Sequence, residues 1–188
     1  MAQQSRDGVR FAPLALDDMT TEQRTIADRV ISGPRQGMRG PFNALLRSPD
    51  LADRAERVGE YIRFRNSYSE PLKELAIIIT ARHWTAQYEW YAHRRFAEQA
   101  GISAEICDAI AARRRPTGMS TEHTAVYEFC TELLQTAKVT DATYAAIHDR
   151  FGERGVIDLI YTVGHYSTVA MILNVDRCPL PDGAKPLE

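Results

Sequence analysis

The chain has 188 residues, of which 44% are hydrophobic and 26% are charged, and its formal net charge is -2. This composition suits a globular domain with extensions, and the charge argues against general electrostatic attraction to nucleic acid or to an anionic membrane. No apolar run reaches the ~18 residues of a membrane span. Because the N-terminus also lacks the apolar core of a secretory signal, a cytoplasmic location is expected.

Helix signals run along the whole chain, whereas strand signals are scarce, so the sequence predicts an all-α fold. Residues 1–40 are expected to form an N-terminal arm and a first helix, which opens at the capping-box pair Thr20 and Gln23. A helical domain is expected over 41–175, followed by a loose tail over 176–188 that contains three prolines.

Hydroxyl residues precede the later helical segments and are the expected N-caps. They are Ser48, Ser69, Ser103, Ser120 and Thr140. The helical pattern after Ser69 continues to Ala100, which is long for a compact domain, so a break is expected at 82–85 with Thr85 capping the second half. The last segment, over 156–173, is apolar on most sides, which is typical of a helix in the core or at a subunit interface.

The three cysteines, Cys107, Cys130 and Cys178, are too few and too widely spaced for a disulfide framework or a C-x-x-C dithiol. The first two fall within helical patterns, where a free cysteine is usually a small buried hydrophobe. The five histidines show neither H-x-x-x-H nor H-E-x-x-H spacing, so the sequence predicts no metal site. No cofactor is expected either.

One segment around the predicted break is rich in acids, imidazoles and aromatic residues. Within it, Glu89 and His93 are spaced i, i+4 and share a helix face. A carboxylate beside an imidazole fixes its tautomer and raises its basicity, as acid–base catalysis requires, although such spacing alone more often marks a surface pair without function. Glu74 would lie about 28 Å from His93 along one straight helix, so the two can meet only if the chain folds back.

The segment from Glu74 to His93 resembles the signature of the carboxymuconolactone decarboxylase family, within the alkylhydroperoxidase D-like superfamily. Peroxidatic members carry a glutamate, then a C-x-x-C pair, then a histidine. Here Glu74 matches the glutamate and His93 the histidine, but Ala86 and Glu89 occupy the two cysteine positions. Because peroxide and disulfide chemistry need a thiolate, the resemblance is to a cysteine-less branch, and thiol peroxidase activity is the least favoured interpretation.

The resemblance covers about residues 40–175, from the opening Gly40-Pro41-Phe42-Asn43 to the final helix with His165. It implies an alkylhydroperoxidase D-like (AhpD-like) helical bundle of about seven or eight helices. It also implies assembly as a homotrimer or homohexamer. The N-terminal arm and the C-terminal tail depart from the short lactone decarboxylases.

Resemblance to the decarboxylase branch further implies roles for the catalytic candidates. His93 would donate and accept protons, Glu89 would orient it or act as the base, and Glu74 would contact His93 through water if the break is real. Six more residues are expected to bind the substrate: Tyr88, Arg82, His165, Asn43, Phe42 and Trp84. Structural roles stay open as alternatives for three of them. Tyr88 could pack in the core, Arg82 could form an ion pair, and His165 could be a buried core residue with its hydrogen bonds made within the protein.

Two classes of function remain from the sequence. The first is a cofactor-independent lyase or isomerase that acts by acid–base chemistry on a small carboxylated or lactone-like metabolite, similar to 4-carboxymuconolactone decarboxylase. The alternative is a non-catalytic protein that binds a small ligand on the same scaffold, with the aromatic residues as pocket walls. A strongly perturbed histidine in a cavity would favour the first class, and a closed apolar cavity the second.

Overall fold

A computed structural model describes residues 8–188, so the first seven residues of the predicted N-terminal arm lie outside the described part. Within that range the chain forms eight α-helices and one short 3-10 helix, Leu16–Asp18, without any strand. The α-helices are α1 (Thr21–Ser32), α2 (Phe42–Leu45), α3 (Pro49–Phe64), α4 (Glu70–His83), α5 (Gln87–Gln99), α6 (Ala104–Ala111), α7 (Thr121–Thr136) and α8 (Asp141–Asp176). The prediction of an all-α fold is confirmed.

Side-chain caps begin four of these helices at the predicted residues. Thr20 forms a full capping box with Gln23 at the start of α1. The hydroxyl groups of the other three caps each accept a backbone N–H of the first turn, which satisfies a donor that the helix itself leaves free. These caps are Ser103, Ser120 and Thr140. Ser48 and Ser69 precede α3 and α4 without a side-chain cap bond, and a proline in the first turn of each helix favours the start instead.

Helix α4 is the centre of the bundle. Every residue over 72–82 is buried, and the helix packs mainly against α5, α7 and α8. Because Leu75, Ile77 and Ile78 point to different sides and are all fully buried, α4 must be covered all round. A second, smaller core joins α1, α2 and α3 around Val30 and Phe42.

The break between α4 and α5 lies where the sequence predicts it, but its cap differs from the prediction. Thr85 adopts a left-handed conformation with φ 48, and Ala86 is the N-cap of α5 without a side-chain cap bond. The Thr85 hydroxyl instead accepts hydrogen bonds from Arg82 and Arg113, at 3.3 and 3.0 Å. The expectation that Thr85 caps α5 was therefore wrong, because its hydroxyl turns toward guanidinium groups outside the helix.

Helix α8 runs for 36 residues but is interrupted at Gly152, whose φ of 65 and ψ of -176 are not helical. The interruption separates the segment that begins at the predicted cap Thr140 from the apolar segment over 156–173. By length and composition α8 could cross a membrane, yet half of its most apolar window is buried inside the protein. Since α8 packs against α3, α4, α5 and α7, it is a core helix of the bundle.

Both terminal segments lie against the bundle. The Phe11 N–H donates to the Asp176 carboxylate at 2.9 Å, and the Leu14 N–H donates to the Asn43 side chain at 2.9 Å. At the other end, Gln87 exchanges two hydrogen bonds with the backbone of Leu187. The tail is thus held over the start of α5.

Candidate functional site

Glu74, His93 and Glu89 meet in a buried cluster because α5 folds back along α4. The carboxylate of Glu74 lies 2.7 Å from Nδ1 of His93, and that of Glu89 lies 3.2 Å from Nε2. The side chain of Glu74 is fully buried, while His93 and Glu89 keep 6% and 4% exposure. Glu74 and His93 therefore contact each other directly, whereas the sequence predicted a contact through water.

The surroundings of His93 favour its imidazolium form. Burial alone would lower the pKa of His93, but the charges of Glu74 and Glu89 and their hydrogen bonds raise it to about 9. Both ring nitrogens then carry protons, so Nδ1–H donates to Glu74 and Nε2–H donates to Glu89. At neutral pH the cluster holds a proton donor between two carboxylates.

Arg63 of α3 adds a positive charge beside this cluster. Its guanidinium lies 3.8 Å from Oε1 of Glu74 and 3.5 Å from Nε2 of His93. With His93 protonated, the second contact joins two donors, so it is a close approach rather than a hydrogen bond. The Glu74 Oε1 atom is buried without a hydrogen bond among the described residues, and the long ion pair with Arg63 adds to the charge that His93 places beside Oε2.

A cavity of about 490 Å³ opens on one side of the cluster. His93 and Glu89 lie in its wall, and Glu74 lies behind the imidazole, outside the lining. Aromatic rings shape the wall around the histidine, since Tyr166 and Phe96 approach its ring edge-on at centroid distances of 5.0 and 5.7 Å. The volume suits a small organic molecule.

The cavity wall carries more positive than negative charge. Four arginines line it, together with two carboxylates, Glu56 and Glu89. Glu56 is already paired with Arg29 at 3.2 Å. The lining arginines are Arg35, Arg39, Arg63 and Arg95. A partly enclosed cavity with this excess attracts anions, because low-dielectric walls strengthen the field of the guanidinium groups.

Three of the six predicted substrate-binding residues, Tyr88, Phe42 and His165, line this cavity. Burial raises the pKa of Tyr88, with smaller effects from Cys178 and Glu89 in the same direction, so its phenol stays protonated and can donate a hydrogen bond.

The other three predicted residues, Arg82, Asn43 and Trp84, do not line the cavity. Arg82 lies in the last turn of α4 and donates hydrogen bonds to the backbone oxygens of Ala111 and Glu188, both at 2.6 Å. Asn43 binds the backbone of the N-terminal segment. Trp84 sits at the C-terminal end of α4, 36% exposed. These three residues therefore lie away from this cavity, and the hydrogen bonds of Arg82 and Asn43 join separate segments of the fold.

Sequence reasoning missed the arginines of the cavity. Arg35 and Arg39 lie in the glycine-rich loop after α1, Arg63 near the end of α3, and Arg95 just after His93. No spacing links a loop at 33–41 to a helix that starts fifty residues later, because only tertiary packing brings them together. The available signal was two basic residues within a loop of glycine and proline, which usually marks an exposed turn.

The cysteines offer no thiolate to this site. Cys107 and Cys130 are buried in the main core, and burial raises the pKa of both thiols, to about 11 for Cys107. None of the three cysteines lines the cavity. Among the described residues there is also no group of three His, Cys, Asp or Glu side chains that could hold a metal ion.

Comparison with known proteins finds similar structures but no matching family model or curated sequence. A solved structure of an AhpD-core, peroxidase-related protein from Ralstonia eutropha superposes with a TM-score of 0.75, at 14% identity, over 93% of each chain. A protein of unknown function from Agrobacterium tumefaciens, named as a candidate AhpD antioxidant defence protein, gives a TM-score of 0.65 at 12% identity, over 76% of this chain and 99% of that one.

These likenesses at low sequence identity concern the arrangement of the helices. They agree with the all-helical bundle built around α4 and with the predicted bundle of seven or eight helices. The chain therefore has the AhpD-like fold.

Proposed function

We propose that the protein is a cofactor-independent lyase that acts by acid–base chemistry on a small carboxylated or lactone-like metabolite, similar to 4-carboxymuconolactone decarboxylase. The observation that carries this proposal is the cluster of Glu74, His93 and Glu89, of which the last two lie in the wall of an arginine-lined cavity. Acid–base enzymes place a titratable group of strongly shifted pKa in such a cavity.

The reaction needs one proton from the protein. The bond between the substrate's carboxylate carbon and its neighbour breaks, carbon dioxide leaves, and the electron pair spreads onto the lactone carbonyl as an enolate. His93, as imidazolium, gives its Nε2 proton to the carbanionic carbon and regains a proton from solvent. In this scheme, guanidinium groups beside the lactone carbonyl stabilise the negative charge as it moves from the carboxylate onto the enolate oxygen, which lowers the barrier to loss of carbon dioxide.

The two carboxylates have different tasks in this scheme. Glu89 lies in the cavity wall beside Nε2, where it holds the proton that is transferred and can contact the substrate. Glu74 is fully buried behind the ring and acts as a positioning residue, because its hydrogen bond to Nδ1 fixes the orientation of the imidazole. Tyr88, with its phenol protonated, supplies a further donor to a substrate oxygen.

Thiol peroxidase activity has no support in this chain, although the names of the similar structures point to peroxidase and antioxidant proteins. Ala86 and Glu89 stand where the resemblance expects the two cysteines, and none of the three cysteines lines the cavity. Binding without catalysis is the alternative that shares the same cavity, and the assay below separates it from the lyase.

The test is release of carbon dioxide from 4-carboxymuconolactone by the wild type and by His93→Gln. The wild type is expected to release carbon dioxide. The rate of the variant should be lower by about a hundredfold or more, because general acid catalysis contributes a rate enhancement of about that size. His148→Gln, a surface histidine stacked on Tyr144, is the control and should match the wild type.

Equal rates for the wild type and His93→Gln would contradict the role of His93. No release by the wild type would exclude this substrate and favour the binding alternative.

We also propose that the chain forms a homotrimer or homohexamer. An apolar stripe on the outer face of α8 supports this assembly, because large apolar side chains there remain unusually exposed in the single chain. The stripe consists of Ile157, Ile160, Tyr161, Met171 and Val175.

A further inference from the structure

Arg35 is a cation in the cavity wall without a counter-ion. No hydrogen bond or ion pair of this side chain occurs among the described residues, and its Nε is buried without a partner. Burial also lowers the pKa of Arg35, although a guanidinium remains charged at neutral pH. A partly desolvated charge with unused donors is costly unless a ligand satisfies it.

Two aromatic rings hold this guanidinium in place. Its central carbon lies 5.3 Å from the ring centroid of Phe42 and 5.8 Å from that of Phe64. Cation–π contacts of this kind orient the planar group without using its N–H donors. The donors of Arg35 are therefore left free for the cavity.

Gly59 and His165 complete the surroundings of Arg35. A Cβ at position 59 would lie 2.8 Å from Nη2 of Arg35 and 2.9 Å from Nε2 of His165, so glycine at this place in α3 makes room for both nitrogens. Glycine within a helix is destabilising relative to alanine. That cost is explained if the space above Gly59 is needed for the two polar groups.

His165 stays neutral beside the guanidinium. Burial, followed by the charge of Arg35, lowers the pKa of His165 to about 4; Glu89 opposes and His93 adds to this effect. A neutral imidazole offers one N–H without repelling Arg35.

We propose that Arg35 and His165 form a second anion subsite, which holds a carboxylate group of the ligand away from the group that reacts at His93. The planar guanidinium matches the geometry of a carboxylate, and the imidazole adds a further donor. Tyr166 separates the subsite from the catalytic cluster, since its ring contacts both His93 and His165 at centroid distances of 5.0 and 5.3 Å. The ligand is therefore a dianion that spans Tyr166, such as a dicarboxylate. This inference rests on the proposed function only in placing the reacting group at His93.

The experiment measures binding of adipate, a six-carbon dicarboxylate without a lactone, by calorimetry at constant ionic strength. The wild type is expected to bind adipate more tightly than hexanoate, which has the same chain length and one carboxylate. Arg35→Met should weaken adipate binding about tenfold or more, because a charge-assisted contact is lost. Arg57→Met removes an exposed arginine of α3 that pairs with Asp53, and it should bind adipate as the wild type does.

A second variant separates binding from folding. Gly59→Ala places a methyl group against Arg35 and His165, so it should weaken adipate binding while thermal stability stays equal or rises, as alanine favours the helix. The subsite would be overturned if Arg35→Met bound adipate as tightly as the wild type, or if Arg57→Met weakened binding as much as Arg35→Met. It would also be overturned if Gly59→Ala left the adipate affinity unchanged, or if the wild type showed no saturable binding. Adipate binding through Arg35 without decarboxylation of the lactone would keep the subsite and refute the lyase.

Discussion

Single residues determine the chemistry of the cavity, and His93 is the most important of them because its ionisation supplies the proton donor. The spacing of Glu89 and His93 could be read from the sequence, but spacing does not give burial, and burial makes the neighbouring charges strong. Glu74 became a candidate through its place in the family motif, and its contact with His93 depends on the fold-back of the chain. Arg35 and Arg63 could not be found in this way, since no local pattern distinguishes a cavity arginine from a surface one.

Stability should fall with rising pH because of His93. Its pKa rises from an ordinary value near 6.5 to about 9 on folding, so the folded state binds the proton more tightly. The resulting stabilisation is fully present below pH 6.5 and is lost as the pH rises through 9, with a limiting slope of about 1.4 kcal/mol per pH unit.

Urea unfolding between pH 6.5 and pH 9 measures this slope. The double variant Glu74→Gln, Glu89→Gln lacks the two charges that raise the pKa of His93, so its free energy of unfolding should be nearly flat over the same window. A wild-type stability that is flat or increases with pH would refute the assignment.

Among the elements, the junction of α4 and α5 creates the site. Its position was predictable because a helix from Ser69 to Ala100 would be too long for the domain, and Gly101 follows as the stop. The conformation of the break could not be predicted, because the left-handed φ of Thr85 is accompanied by tertiary contacts with Arg82 and Arg113. A β-branched residue in this conformation is strained, as is common beside functional sites.

That strain can be measured with a matched pair of variants. Thr85→Ala and Thr85→Gly both lose the hydroxyl, but only alanine keeps the steric cost of positive φ. We expect Thr85→Gly to be more stable than Thr85→Ala by about 1 kcal/mol in chemical unfolding. An alanine variant as stable as the glycine variant would show that residue 85 is not left-handed in solution.

For the whole molecule, helical periodicity predicted the fold class, whereas the resemblance implied seven or eight helices and a homotrimer or homohexamer, and the assembly stays a prediction. Periodicity identifies a helix that is apolar on most sides, as α8 is, yet it cannot say which side another subunit covers. In the single chain the side facing α4 is buried, while Ile157 and Tyr161 remain 55% and 59% exposed. The homo-oligomer proposed above would cover this stripe.

Light scattering coupled to size exclusion tests the assembly. The expected mass is about three or six times the 21.2 kDa of one chain. Tyr161→Glu in the stripe should shift the protein to smaller species, whereas Tyr144→Glu, on the exposed N-terminal part of α8, should not. A monomeric wild type would contradict the proposed oligomer.

The proposed chemistry depends on His93 being an imidazolium at neutral pH, held as a proton donor between Glu74 and Glu89. Nuclear magnetic resonance of the ¹⁵N-labelled imidazole rings across a pH series measures this ionisation. His93 is expected to titrate with a pKa of about 9, and Glu74→Gln is expected to lower this pKa by removing the charge at Nδ1. A His93 that titrates at or below its ordinary value near 6.5 in the wild type would refute its role as the proton donor.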